Sequence, residues 1–289
     1  MYASLWVLPL LFITLSLQGE EIHTSVIQTL AGSADDNILG TQFSFGGLAG
    51  LATDSFGNVF FTVQALSRVY RLGLDGRVSP YAGSGMRGRQ RDGVLAINSP
   101  LLNPSSLTVD AAGNLYIVVA NALLRVDANS HLISTVFITP YRPPGASITI
   151  FGVGTMAVGP TGLLYICDGT DSRIKTYSFE SGSVGVVAGN GKTGATQSGG
   201  ATSTSLRYPQ TLAVAADGTV YFSTLEPAVY RVDPSSRIIE VIHIQLPQEA
   251  RQLDDYDNPH AITLDGDGHL FVAQGNRSRS YESTSTPMR

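Results

Sequence analysis

Asp110-Ala111-Ala112-Gly113-Asn114-Leu115-Tyr116-Ile117-Val118-Val119 joins an acidic, glycine-bearing turn to a short apolar strand that opens with an aromatic residue. The same phrase returns as Asp54-Ser-Phe-Gly57-Asn-Val-Phe60-Phe61, Gly159-Pro-Thr-Gly162-Leu-Leu-Tyr165-Ile166, Ala215-Ala-Asp-Gly218-Thr-Val-Tyr221-Phe222 and Asp265-Gly-Asp-Gly268-His-Leu-Phe271-Val272. Its glycines lie 56, 49, 56 and 50 residues apart (57 to 113, 162, 218 and 268). A fixed period of this size marks a repeat architecture.

Each unit reads as four strands. The first is apolar with small residues between (Leu51–Asp54, Leu107–Asp110, Met156–Gly159, Leu212–Ala215 and Ile262–Asp265), as expected of a strand covered on both faces. Glycine then supplies the positive φ of a tight reversal. The second strand carries an aromatic column, Phe60, Tyr116, Tyr165, Tyr221 and Phe271, beside Phe61, Ile117, Ile166, Phe222 and Val272; these ten positions are the expected packing core. Third strands such as Arg68–Leu72 and Arg173–Tyr177 alternate polar and apolar, and fourth strands include Ile133–Phe137 and Ile238–Ile242. Units of four strands and roughly 40 to 50 residues are blades of a β-propeller.

The expected fold is therefore all-β, a propeller of four-stranded blades with five repeats visible and a six-bladed ring as the alternative. The fifth unit lacks its last strand, and Val26–Gly32, which ends in the same Ala-Gly as Ala82-Gly83 and Ala188-Gly189, is the expected N-terminal closing strand. Leu5–Leu17 is an apolar run followed by Gln18-Gly19 and then Glu20-Glu21, the pattern of an export signal cleaved after Gly19. Residues 1–19 are read as the signal and 20–289 as one domain, secreted or periplasmic. No later segment is apolar enough to cross a membrane.

The chain carries 18 Lys and Arg against 23 Asp and Glu, a net charge of −5, which gives no global attraction for nucleic acid. Arg87, Arg89 and Arg91 then read as an exposed solubilising loop. Cys167, the one cysteine, aligns with Thr62, Val118, Ser223 and Ala273 and is expected to be a small buried strand residue rather than a nucleophile. Gly83-Ser-Gly85-Met-Arg-Gly88 and Gly189-Asn-Gly191-Lys-Thr-Gly194 match a dinucleotide pattern in letters, yet neither opens a helix whose N-terminus could hold phosphate.

The run Ala188-Gly189-Asn190-Gly191, Ser198–Leu206, Pro209, Leu212-Ala-Val and Asp217-Gly218-Thr-Val-Tyr221 resembles the NHL-repeat propellers of exported bacterial proteins, and Arg91–Asn103-Pro104 is a weaker copy. The resemblance spans about Val26 to Asn276 and implies a propeller whose loops gather around a central channel. In such folds the residues leading into each first strand ring the channel mouth; here they are Ala49, Ser105, Gly154, Gln210 and His260. Related gluconolactonase-like hydrolases place acidic, Asn or His metal ligands there, and of these five only His260 is a good ligand. Ser105, Gln210 and His260 are the candidate binding residues, with no catalytic set and no metal or other cofactor expected. The reading is a non-catalytic module for a protein or carbohydrate ligand. Its rival is a metal-dependent lactonase-like hydrolase or lyase holding a divalent cation in the channel. Asp254–His260 is read as a solvated acidic loop and Asn276-Arg-Ser278 as a formal glycosylation sequon.

Overall fold

The computed structural model describes residues 11–15, 38–39, 48–138, 153–242, 259–264 and 268–274. They form a β-propeller whose five sheets follow one another along the chain. Strands β1 (Leu11–Leu15) and β2 (Ile38–Leu39) precede the first full unit. Blade one is β3 (Gly50–Thr53), β4 (Val59–Val63), β5 (Arg68–Leu72) and β6 (Arg77–Ala82). Blade two is β7 (Leu107–Val109), β8 (Leu115–Val119), β9 (Ala122–Val126) and β10 (Ile133–Ile138). Blade three is β11 (Val153–Val158), β12 (Leu164–Asp168), β13 (Arg173–Tyr177) and β14 (Val184–Ala188). In blade four, β15 (Gly199–Gly200) precedes β16 (Thr211–Val214), β17 (Val220–Thr224), β18 (Glu226–Val232) and β19 (Ile238–Ile242). Blade five contributes β20 (Pro259–Leu264) and β21 (Leu270–Gln274). Neighbouring strands run antiparallel, and the first strand of each blade lies innermost.

The repeated turn is built as its composition dictates. Asp110 N–H donates to the Asn114 carbonyl at 3.1 Å and Gly113 N–H to the Asp110 carbonyl at 2.9 Å, with Gly113 at φ 82°. The Asp110 carboxylate accepts the Ala112 and Asn114 amides at 3.0 and 2.9 Å, the Asn114 Nδ2 group at 2.8 Å and the Tyr116 hydroxyl at 3.0 Å. The corresponding backbone pairs close the hairpins at Asp54/Asn58, Gly159/Leu163 and Ala215/Thr219. Burial pushes the Tyr116 phenol up, and the adjoining Asp110 charge pushes the same way.

The two columns of the second strand serve opposite junctions. Phe60, Tyr116, Tyr165 and Tyr221 point to the following blade, where they meet Ile117, Ile166, Phe222 and Val272 in four separate apolar clusters. Alternation along a strand sends successive side chains to opposite faces, so one strand packs against both neighbours. Cys167 is fully buried in the cluster between blades three and four, and burial pushes its thiol far above the ordinary range, which removes it as a nucleophile. The two glycine-rich runs are duplicated connections without a helix. Gly83 and Gly189 sit at φ 93° and 92° and donate to the Ala96 and Ala201 carbonyls at 2.9 and 2.8 Å.

An N-terminal strand does pair with the fifth unit, but it is Leu11–Leu15, inside the stretch expected to be an export signal. It lies on the outer side of β21, the place a third strand holds in the other blades. The run Leu-Phe-Ile-Thr-Leu has the β-branched and aromatic content that a sheet edge accepts as readily as a membrane-targeting apparatus does. Val26–Gly32, Arg279–Arg289 and the acidic stretch Asp254–Asn258 lie outside the described residues.

One position separates the first blade from the rest. Leu107, Met156, Leu212 and Ile262 face the preceding blade and are only 3–6% exposed, whereas their counterpart Leu51 is 59% exposed. Among the described residues no apolar cluster joins blade five to blade one. Truncating Leu212 to Ala is therefore expected to cost about 2–5 kcal/mol, and Leu51 to Ala under about 1 kcal/mol, in urea titrations of the two variants. Equal losses would mean that a further sheet covers Leu51.

Candidate functional site

The three residues picked out for the channel mouth hold one equivalent position in blades two, four and five, so the repeat carries them to the same end of the axis. Their backbones are engaged in the fold. Ser105 N–H donates to Val118 O at 2.9 Å, and the Ser105 carbonyl accepts the Thr62 hydroxyl of blade one at 2.7 Å. Gln210 N–H donates to Ser223 O at 3.0 Å, and its carbonyl accepts the Thr155 amide of blade three at 2.9 Å. Both residues are half-buried. His260 lies within β20, and its side chain falls outside the described residues. No hydrogen bond joins Ser105 to Gln210 among the described residues.

A second layer at this end escaped the sequence reading. Asn103 and Tyr208 both take the left-handed conformation, φ 48° and 49°, immediately before Pro104 and Pro209. The residues before them are anchored alike, since Leu102 and Arg207 accept the Ala120 and Leu225 amides at 2.8 Å. The duplicated connection thus holds an amide in one blade and a 45%-exposed phenol in the other. The signal was the X-Pro pair that stands three residues before Leu107 in blade two and again before Leu212 in blade four. Beside Asn103, a 480 Å³ hollow is lined by Gln64, Ala65, Ser67, Gly85 and Arg87. A second hollow of 430 Å³ lies at the opposite end, among the small hairpin residues Ala111, Ala112, Pro160, Ala215 and Ala216 with Asp110. The Asp110 oxygens there are already filled by the turn, which leaves that hollow without a convergent polar group.

Among the described residues a buried charge cluster lies in blade three. Lys175 Nζ donates to Asp168 Oδ2 at 2.9 Å and to Asp171 Oδ2 at 2.5 Å, with Lys175 and Asp168 at 2% and 0% exposure. Arg173 holds both Asp171 oxygens at 2.9 and 2.8 Å. Burial raises the Asp171 carboxyl, but the hydrogen bonds and charges of Lys175 and Arg173 outweigh it and leave Asp171 below the ordinary carboxylate range. Lys175 stands where blades one, two and four have Tyr70, Leu124 and Tyr230, and Asp168 where they have Val63, Val119 and Thr224. A lysine interrupting an aromatic and aliphatic column was the legible signal. With every charge paired, the cluster reads as a junction element rather than a reactive group.

For a divalent cation, Ser105 and Gln210 offer one hydroxyl and one amide, with neither carboxylate nor imidazole. Among the described residues no three His, Cys, Asp or Glu side chains converge.

No protein-family model matches the chain, and no curated protein matches it in sequence. Solved structures do share its fold. An auxiliary nutrient binding protein from Bacteroides ovatus superposes with a TM-score of 0.55 at 13% identity, over 81% of this chain and 61% of that one. A gluconolactonase from Xanthomonas campestris gives 0.52 at 12% identity, over 82% and 73%. Virginiamycin B lyase from Staphylococcus aureus gives 0.48 at 16% identity, over 91% and 68%. At these identities the likeness is one of fold, and the class it defines is the β-propeller.

The blade-three cluster yields a thermodynamic cycle. Lys175→Leu alone is expected to cost about 3–5 kcal/mol, because it takes the cation from the buried Asp168 carboxylate, whereas Asp168→Val costs less because Asp171 still holds the ammonium. The double variant, which copies Leu124 and Val119 of blade two, is expected to recover most of that loss in chemical denaturation.

Proposed function

We propose that the chain is an exported, non-catalytic binding propeller of NHL-type repeats that takes a carbohydrate at the mouth where its blade-to-blade connections enter the first strands. The observation that carries this reading is the pair Asn103 and Tyr208, held by one repeated backbone conformation beside the half-buried Ser105 and Gln210. An exposed aromatic face on one connection, with amides and a hydroxyl at equivalent positions of blades two and four, suits a ligand that stacks an apolar ring face and hydrogen-bonds through many neutral hydroxyls. The nutrient-binding propeller from Bacteroides ovatus supports the same reading by fold. Export rests on Leu5–Leu17. Cleavage after Gly19 would also remove β1, leaving Val26–Ala31 in the mature chain to provide a strand for the last blade.

The test uses the exported protein, whose N-terminal sequence is expected to begin at Glu20, on an array of soluble neutral and acidic oligosaccharides. Binding is expected to fall about tenfold in Tyr208→Asn, which keeps the backbone conformation that Asn103 already adopts. Binding that is indifferent to Tyr208 would overturn the site. The same protein is dialysed against calcium, manganese or zinc and analysed for bound metal, then offered a sugar lactone. A stoichiometric ion lost in His260→Ala, with lactone hydrolysis, would replace the binding reading with the hydrolase one.

A further inference from the structure

Blades one and three pass from second to third strand by turns of equal length, Gln64–Ser67 and Gly169–Ser172, with Ser67 and Ser172 both left-handed at φ 51° and 47°. Each turn lies against the glycine-bearing loop that leaves its own fourth strand, Gly83–Gly88 or Gly189–Gly194. Arg68 and Arg173 hold equivalent places, their Nη2 atoms donating to the Ser84 and Asn190 carbonyls at 3.5 and 3.0 Å. The two copies differ in how the polar groups around these arginines are satisfied.

In blade three the set is closed. Asp171 holds Arg173 through both oxygens and Lys175 as well, and the hydroxyl of the buried Ser172 lies 2.8 Å from that of Thr193. In blade one Leu66 stands where Asp171 is, and Arg87 where Thr193 is. Ser67 is only 4% exposed, yet among the described residues nothing bonds its hydroxyl. The side chains of Gln64, Arg87 and Asn103 likewise make no hydrogen bond or ion pair among the described residues. These four residues, with Ala65 and Gly85, line the 480 Å³ hollow. Every one of the four can donate a hydrogen bond, and the lining holds no acid. Arg68 lies directly beneath, since a Cβ on Gly85 would stand 3.2 Å from Arg68 Nε. The chain that builds this corner is locally basic in a protein of net charge −5: from Ser55 to Val109 it has six arginines against Asp75 and Asp92. Asp75 accepts the Arg77 amide in the turn at the far end of β5, and Asp92 accepts the Thr135 hydroxyl.

We infer that this hollow binds an anionic group of the ligand, a carboxylate or a sulfate ester, with Arg87 pairing its oxygens and Ser67, Gln64 and Asn103 donating around it. The inference rests on the carbohydrate reading above and makes that ligand an acidic sugar. A guanidinium fork matches two oxygens of a carboxylate or sulfate, and such charge-assisted bonds are about twice as strong as neutral ones. A neutral sugar would engage the amides and the hydroxyl and leave the Arg87 charge unused. Asn103 is common to both parts of the site, because it borders the hollow and stands two positions before Ser105.

The exported protein is titrated calorimetrically with an oligogalacturonate, with the same oligosaccharide after its carboxylates are reduced to alcohols, and with a sulfated galactose oligosaccharide. An acidic form is expected to bind about tenfold or more tighter than the reduced one, and to weaken as salt rises. Preference for the first assigns a carboxylate, and preference for the last a sulfate ester. Arg87→Thr, which copies Thr193 and offers Ser67 the partner that Ser172 has, is expected to abolish the preference; Arg89→Gln, outside the hollow, is expected to keep it. Equal binding of acidic and neutral forms, a preference that survives Arg87→Thr, or one lost equally in Arg89→Gln would overturn the inference. Neutral and acidic forms bound alike and both lost in Tyr208→Asn would overturn the anion site and keep the carbohydrate one. An acid preference that needs Arg87 and is indifferent to Tyr208 would do the reverse, and no binding of any form would overturn both.

Discussion

The innermost strand of each blade is an edge strand, and its outward amides have no sheet partner. In this chain the preceding blade supplies the missing partner through a side-chain hydroxyl. Thr155 Oγ1 of blade three accepts the Leu212 amide of blade four at 2.7 Å, and Thr211 Oγ1 of blade four accepts the Ile262 amide of blade five at 3.2 Å. Thr155 also donates to Thr211 at 3.1 Å, so the hydroxyls run as a relay across three blades. One strand further out, Thr62 and Ser223 donate to the Ser105 and Pro259 carbonyls of the next blade at 2.7 and 3.0 Å. A buried amide or carbonyl left unpaired costs about 1–3 kcal/mol, so these hydroxyls decide how closely blades can approach. Where approach is closest no side chain is tolerated, as at Gly50, whose Cβ would lie 2.1 Å from the Ser105 carbonyl.

Much of the polar chemistry is consumed in this way. Asp110 and Asn114 close a turn, Thr155 and Thr211 tie blades together, and Asp168 and Lys175 neutralise one another inside a junction. The proposed binding site draws on the set that changes between otherwise equivalent connections: Asn103 against Tyr208, Ser105 against Gln210.

The architecture was legible because the hairpin glycine with the aromatic strand behind it is a local phrase, and its repetition places every strand that follows. The inward and outward columns at Phe60/Phe61 and their counterparts were equally plain, since alternation needs only the strand. The assignment of Cys167 as core came from its column. That an N-terminal strand joins the last blade was legible from the missing strand of the fifth unit; Leu11–Leu15 was not, because its apolar run also fits an export signal, and Val26–Gly32 lies outside the described residues. The exposure of Leu51 was invisible for a related reason: its sequence context matches Leu212, and only a neighbour's presence or absence separates them. At the mouth, the position of Ser105, Gln210 and His260 could be counted from the repeat. The left-handed Asn103 and Tyr208 could not, because a residue before proline ordinarily stays extended, and only the anchored carbonyls of Leu102 and Arg207 show that the chain turns there.

Thr211→Val keeps the shape of the side chain and removes the hydroxyl, and amide hydrogen exchange then reads the consequence residue by residue. If hydroxyls hold the blades together, the Ile262 amide exchanges faster by about tenfold or more while amides inside β17 and β18 keep their protection. Unchanged exchange at Ile262 would contradict this and leave apolar packing alone as the bond between blades.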